Sequence, residues 1–175
     1  MSIYLTFAKA NEEADKVIIA ILDKMSNDDR EKNRKSYYGS LSNLLRHTAG
    51  GTCYFLSMFK ETMAGNPEVL KTLALLDKVK LPEEKKLDEA GWKKLCAAVK
   101  TIDKVYVSFA EALGDNDFSA PVKVSWYKGK PAEVPLSFML GQLVSHGAHH
   151  RGQISQILDT LKIDNDYSGL NVKFL

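Results

Sequence analysis

Apolar residues recur along most of the chain at alternating steps of three and four, the spacing that lines one face of an α-helix. In the first segment the stripe runs Ile3, Phe7, Ala10, Ala14, Val17, Ile21 and Met25. The run SNDDREKNR (residues 26–34) breaks the pattern and reads as a polar loop. A second helix is expected from near Tyr37 or Ser40 to about Met63, on Leu41, Leu44, His47, Gly51, Phe55 and Met58. Gly65, Asn66 and Pro67 stop it. Residues 68–86 hold a short connecting helix that ends before Pro82, because the residue preceding a proline is pushed out of helical geometry. A third long helix runs from about Asp88 to Leu113 on Trp92, Leu95, Val99, Ile102, Tyr106, Phe109 and Leu113, with Gly114 as its stop. Residues 117–135 alternate apolar and polar positions around Lys128, Gly129 and Lys130, which predicts a small β-hairpin. The last helix spans about Leu136 to Leu161, on Leu136, Met139, Leu143, His146, His150, Ile154, Ile157 and Leu161.

Four long amphipathic helices in 175 residues predict an all-α fold, a four-helix bundle in one domain covering residues 1–175. The connections at 64–87 and 114–135 are long for a simple up-down bundle. They predict at least one crossover, with the hairpin decorating one end. Composition changes this picture little: 45% hydrophobic and 26% charged residues are ordinary for a soluble protein. A formal net charge of +2 sets no strong field, so no nucleic-acid partner is expected. The densest lysine cluster, EEKKLDEAGWKK, mixes both signs and reads as a solvated helix surface. The N-terminus lacks a signal-peptide pattern and no window reaches the length of a membrane span, so a cytoplasmic protein with no membrane partner is expected. Cys53 and Cys96 lie far apart in apolar-patterned segments and read as two buried free thiols.

The histidines raise a chemical question. Three of the four lie in SHGAHHRGQISQI (residues 145–157), two of them on the core stripe of the last helix. His146 and His150 are one turn apart, where side chains are neighbours with Cβ atoms about 5–6 Å apart. Two imidazoles so placed can converge on one ion, at about 2.0–2.1 Å for each Zn–N bond. His47, on the stripe of a facing helix, supplies a third candidate ligand. Neutral imidazoles buried without partners are costly, so either an ion or a hydrogen-bonded polar cluster must satisfy them. Three histidines with an open position is the pattern of a reactive metal site. His149 lies about 60° from His146 and about 100° from His150 around the helix. It is therefore placed outside the ligand set, as a surface position or a hydrogen-bond partner.

The neighbouring residues refine this reading. HGAHH has glycine where a zinc-protease helix carries its glutamate base, which argues against that mechanism. Gly50, Gly51, Gly147, Ala148 and Gly152 are all small; close helix approach and room for a substrate both explain them. Gln153 and Asn43 are within reach of His150 and His47 as orienting hydrogen-bond partners, although Asn43 also suits a plain surface amide. Arg151 points off the stripe and is expected to pair with a neighbouring helix or a second subunit. Tyr54, Tyr106 and Trp92 are expected in the core, with a pocket mouth as the other reading. Cys53, about 120° from His47, is a poor fourth ligand.

HGAHHRGQI (146–154) on the last helix and LLRHTAGGTCYFL (44–56) on the second resemble the DinB family of metal-binding bundles. The resemblance implies a four-helix bundle of up-up-down-down type with a divalent metal on His47, His146 and His150, zinc and nickel both being typical. It also implies two classes of activity, since some relatives are thiol-dependent S-transferases and others resemble maleylpyruvate isomerases. A metal that lowers the pKa of a bound water or low-molecular-weight thiol is their shared chemistry. The leading expectation is thus a metal-dependent hydrolase or S-transferase with a small-molecule substrate, assembled as a homodimer. Two alternatives stand beside it: a non-catalytic metal-binding stress protein, and a metal-free bundle that binds proteins through its helical faces. No catalytic residue beyond the ligands is identified from the sequence.

Overall fold

The first turn of a helix leaves amide N–H groups without partners, and short polar side chains just ahead of it can accept them. In the computed structural model, which describes residues 2–125 and 130–174, such caps open nearly every helix. Ser2 precedes α1 (Ile3–Leu22), Ser26 precedes α2 (Asn27–Glu31), and Ser40 precedes α3 (Leu41–Thr62). Asn66 caps α4 (Pro67–Leu73), and Asp88 caps α5 (Glu89–Ala112). Strands β1 (Pro121–Val124) and β2 (Ala132–Pro135) then lead into α6 (Leu136–Thr160). Among the described residues, no helix is long and apolar enough to cross a membrane.

The long helices α1, α3, α5 and α6 pack around a core that includes Leu44, Leu56, Phe59, Trp92, Leu95, Phe109, Leu143 and Ile154. Their directions follow from the residues that touch. Asn11 meets Asp103 while Asp23 meets Trp92, so α1 and α5 are antiparallel. Tyr4 reaches Ser137 and Asn11 reaches Arg151, so α1 and α6 run the same way. His47 meets His150 while Phe55 meets His146, so α3 and α6 are antiparallel. The order is therefore up, down, down, up, which differs from the up-up-down-down arrangement implied by the resemblance.

One crossover suffices for this order, and 64–87 contains it. Helices α3 and α5 are parallel, so the chain leaving α3 must return along a helix of 22 residues, about 33 Å. The short α4, a 3₁₀ turn at Ala74–Lys78 and an extended run past Pro82 make that return. Arg46 donates to the Pro82 and Glu84 carbonyls and Asn43 donates to the Lys85 carbonyl, tying the return strand to α3. The 114–135 connection joins the antiparallel helices α5 and α6 and carries the predicted hairpin. Its strands pair Val122 with Val134 and Val124 with Ala132, and the two valines of β1 turn into the core. The turn expected at Lys128, Gly129 and Lys130 falls mostly on residues outside those described.

Two further expectations need correction. The run 26–34 is not all loop, since α2 forms within it. Ser26 accepts the Asp29 amide, Asp28 and Asp29 suit the positive end of the helix, and Arg30 is buried. The Arg30 guanidinium donates to the Leu22 and Met25 carbonyls, pairs with Glu89 and lies 4.9 Å from the Trp92 ring centroid. The stripe assigned to α1 is also rotated. Ile3 is 53% exposed, and of that stripe only Ala14 is buried, whereas Leu5, Ala8, Asn11, Asp15, Ile18 and Leu22 face inward. A count of apolar positions passes over this face because it carries Asn11 and Asp15. Asn11 is hydrogen-bonded to Asp103 and Arg151 on other helices, and Asp15 accepts from Asn11, which makes their burial tolerable.

Candidate metal centre

Opposed stripes on antiparallel helices bring α3 and α6 together along a seam where small residues let the two approach. At Gly51 an added Cβ would lie 2.2 Å from Cε1 of His146. The glycine therefore makes room for an imidazole, which settles at this position the choice between helix packing and substrate space. Gly50 and Gly152 have no such crowding, and Gly147 is packed against Arg151 and Asn11.

His47, His146 and His150 meet at this seam. Each offers a ring nitrogen, and the three atoms lie within 4.8 Å of one another. His146 Nε2 is 3.2 Å from His47 Nε2. Two donors sharing an ion at ordinary Zn–N lengths stand about 2.8–3.4 Å apart, so this pair already has the spacing of two ligands. His150 is buried and has its ring edge-on to both of the others, at 4.5 Å between centroids. Its Nδ1 stands 2.7 Å from Gln153 Oε1, so Nδ1–H donates to the amide and Nε2 is left with its lone pair. Gln153 is thus the orienting partner expected from the sequence. Asn43 is not: its amide serves Arg46 and the Lys85 carbonyl instead.

Electrostatics favours lone pairs over protons here. Burial, reinforced by His150, holds His47 below the usual histidine range. Burial and the three neighbouring imidazoles bring His146 down to about 4. At neutral pH these rings are uncharged, the form that binds metals. The donor set is three histidines without a carboxylate, which suits late first-row divalent ions over calcium or magnesium. His149 is exposed, in contact with the His150 ring but outside the group. Cys53 also lies outside it, half-buried, with its thiol pKa raised by burial. Cys96 is buried, and its thiol is pushed up to about 12.

The seam opens to the surface through a shallow concavity of about 370 Å³ bordered by His47, Gly50, Gly51, Tyr54, Phe55 and His146. Tyr54 is 56% exposed at this mouth, whereas Trp92 and Tyr106 are core residues. A further aromatic, Tyr38, belongs to the site and was not expected from the sequence. Its ring stacks on His47 with centroids 3.9 Å apart, and its hydroxyl is 2.8 Å from His47 Nε2. Tyr38 lies outside any helical stripe, so periodicity gives no sign of it. A tight turn delivers it: Ser36 and Gly39 pair across the turn, and Gly39 has φ +81°, a conformation that side-chain-bearing residues rarely adopt.

Arg151 points the other way from His150, toward α1, as its position on the helix predicts. It donates to Asn11 Oδ1, and Asn11 in turn donates to Asp103 and Asp15. This buried cluster ties α1, α5 and α6 together behind the histidines. Burial raises both carboxyl groups, Asp15 to about 6, while Arg151 pulls them back down.

No curated protein and no solved structure matches the chain significantly. The DinB family model matches residues 1–161, nearly the whole of a bundle whose second and last long helices hold the three histidines, and the chain belongs to the DinB family.

Proposed function

We propose that His47, His146 and His150 hold one divalent transition-metal ion, zinc or nickel, and that the protein is a metal-dependent enzyme. The observation that carries this reading is the convergence of three imidazole nitrogens within 4.8 Å, beside an opening to solvent. Such an ion supplies Lewis acidity, lowering the pKa of a coordinated water or small thiol so that it attacks near neutral pH. The chain's residues do the rest. Gln153 fixes the tautomer and orientation of His150, Gly51 leaves space for His146, and the mouth at Tyr54 and Phe55 admits a small molecule. Hydrolysis and S-transfer from a low-molecular-weight thiol are the two reactions this arrangement serves, in a cytoplasmic homodimer.

Elemental analysis of purified protein tests the site, with about one ion per chain expected in the native protein and a loss in His47→Ala and His150→Ala. Turnover is tested on panels of electrophiles with water, glutathione, mycothiol or bacillithiol as nucleophile. A product that disappears with chelator supports the enzyme reading, and no metal-dependent product across these panels counts against it.

Among the described residues no acidic side chain joins the histidines or borders their opening to act as a general base, and this favours a second reading, in which the ion stabilises the bundle or is sequestered without turnover. In that case chelation lowers the melting temperature sharply, because a ligand bound only to the folded state stabilises it, and no panel yields product.

A further inference from the structure

The Tyr38 hydroxyl faces the one atom of His47 that a metal would need. In the structure it is hydrogen-bonded to Nε2 of His47, the nitrogen that also faces Nε2 of His146 at 3.2 Å. A ring nitrogen has a single lone pair, which cannot serve an O–H donor and an ion together. Loading the site therefore breaks this hydrogen bond and leaves a phenol O–H beside the three histidines, seeking an acceptor. Its ring is well fixed there. It stacks on His47, meets the His150 ring edge-on at 5.4 Å, and is flanked by Tyr37 at 5.0 Å. The turn that carries it is pinned by Gly39 N–H to the Ser36 carbonyl and by Arg34 N–H to the Gly39 carbonyl.

We propose that Tyr38 is the hydrogen-bond donor to the exogenous ligand that enters beside His47, His146 and His150. The proposal rests on the metal reading above and adds a role for a residue outside the ligand set. Hydrogen bonds to charged acceptors are roughly twice as strong as neutral ones, so an anion in that position gains most from the contact.

The test uses the full chain loaded with cobalt(II), whose visible absorption reports on its ligands, and azide as the small anionic probe. Native protein and Tyr38→Phe are compared for cobalt content, for azide affinity by absorption titration, and for folding by circular dichroism. The expected result is equal cobalt content with azide binding at least about tenfold weaker in Tyr38→Phe. Azide binding equal to or tighter than that of the native protein overturns the proposal, as does a loss of cobalt from Tyr38→Phe, which would make the tyrosine a ligand. If native protein takes up no cobalt, or His47→Ala takes up as much, the metal reading itself fails and the Tyr38 role falls with it.

Discussion

Gly51 and His146 occupy one space: a Cβ on the glycine would fall 2.2 Å from Cε1 and 2.8 Å from Nδ1 of the imidazole. Alanine at this position gains helix propensity of about 1 kcal/mol, yet it must push His146 away from His47. Gly51→Ala is expected to lower metal affinity at least about tenfold while the bundle stays folded, since a sub-ångström displacement of a ligand already degrades a site of this kind. Gly50→Ala, whose Cβ meets only Leu81 at an ordinary 3.4 Å, is the control and keeps its affinity. Calorimetric titration with zinc measures both; equal affinities would contradict the steric argument.

Gln153 acts on the centre through His150. Removing the acceptor of Nδ1–H frees the ring to rotate and to take the other tautomer. Loss of such an orienting partner costs about 10–100-fold in metal affinity in comparable sites. Gln153→Ala is expected to show a decrease in that range by competition with a chromophoric chelator, with little change in urea stability of the metal-free protein. An unchanged affinity would reduce the contact to a surface hydrogen bond.

The carboxyl pair behind the histidines predicts a pH effect on stability. Burial raises Asp15 to about 6 and also raises Asp103, so the folded state holds protons that the unfolded chain has released by about pH 4. Their contribution is present at low pH and lost as pH rises through the folded pKa. His146, lowered to about 4, works in the opposite sense, with stability lost as pH falls from about 6.5. The comparison that isolates the carboxyls is native protein against Asp15→Asn. Relative to the native protein, the variant is expected to gain stability between pH 4 and pH 7 in denaturant titrations. A difference independent of pH would show that the pair is not protonated in the fold.

Arg30 is a structural counterpart to these site residues. Its buried guanidinium satisfies the Leu22 and Met25 carbonyls and covers the Trp92 ring. Arg30→Ala removes the donor to the Met25 carbonyl, leaves the Leu22 carbonyl with only the Met25 amide, and opens a gap against the indole. A loss of about 2–3 kcal/mol in urea unfolding is expected, with metal content unchanged because the cluster lies elsewhere. A change within about 0.5 kcal/mol would mean that water replaces the guanidinium.

The sequence by itself determined the number of long helices, nearly all their ends and the three histidines that meet, because caps, glycine stops and apolar stripes are local properties. The ring contact of Gln153 with His150 was equally legible, since residues one turn apart on a helix are neighbours. Tertiary structure decided what depended on distant partners. The buried face of α1 escapes a count of apolar positions because Asn11 is tolerable inside only through Asp103 and Arg151, residues far along the chain, and Asp15 in turn through Asn11. The direction of each helix was set by which stripes pack together, and a connection's length alone does not say whether it crosses over. Tyr38 reaches the centre through a turn, where no periodicity exists to announce it. The reason is common to all three: spacing along the chain specifies what shares a helix face, and only packing brings the opposing face to it.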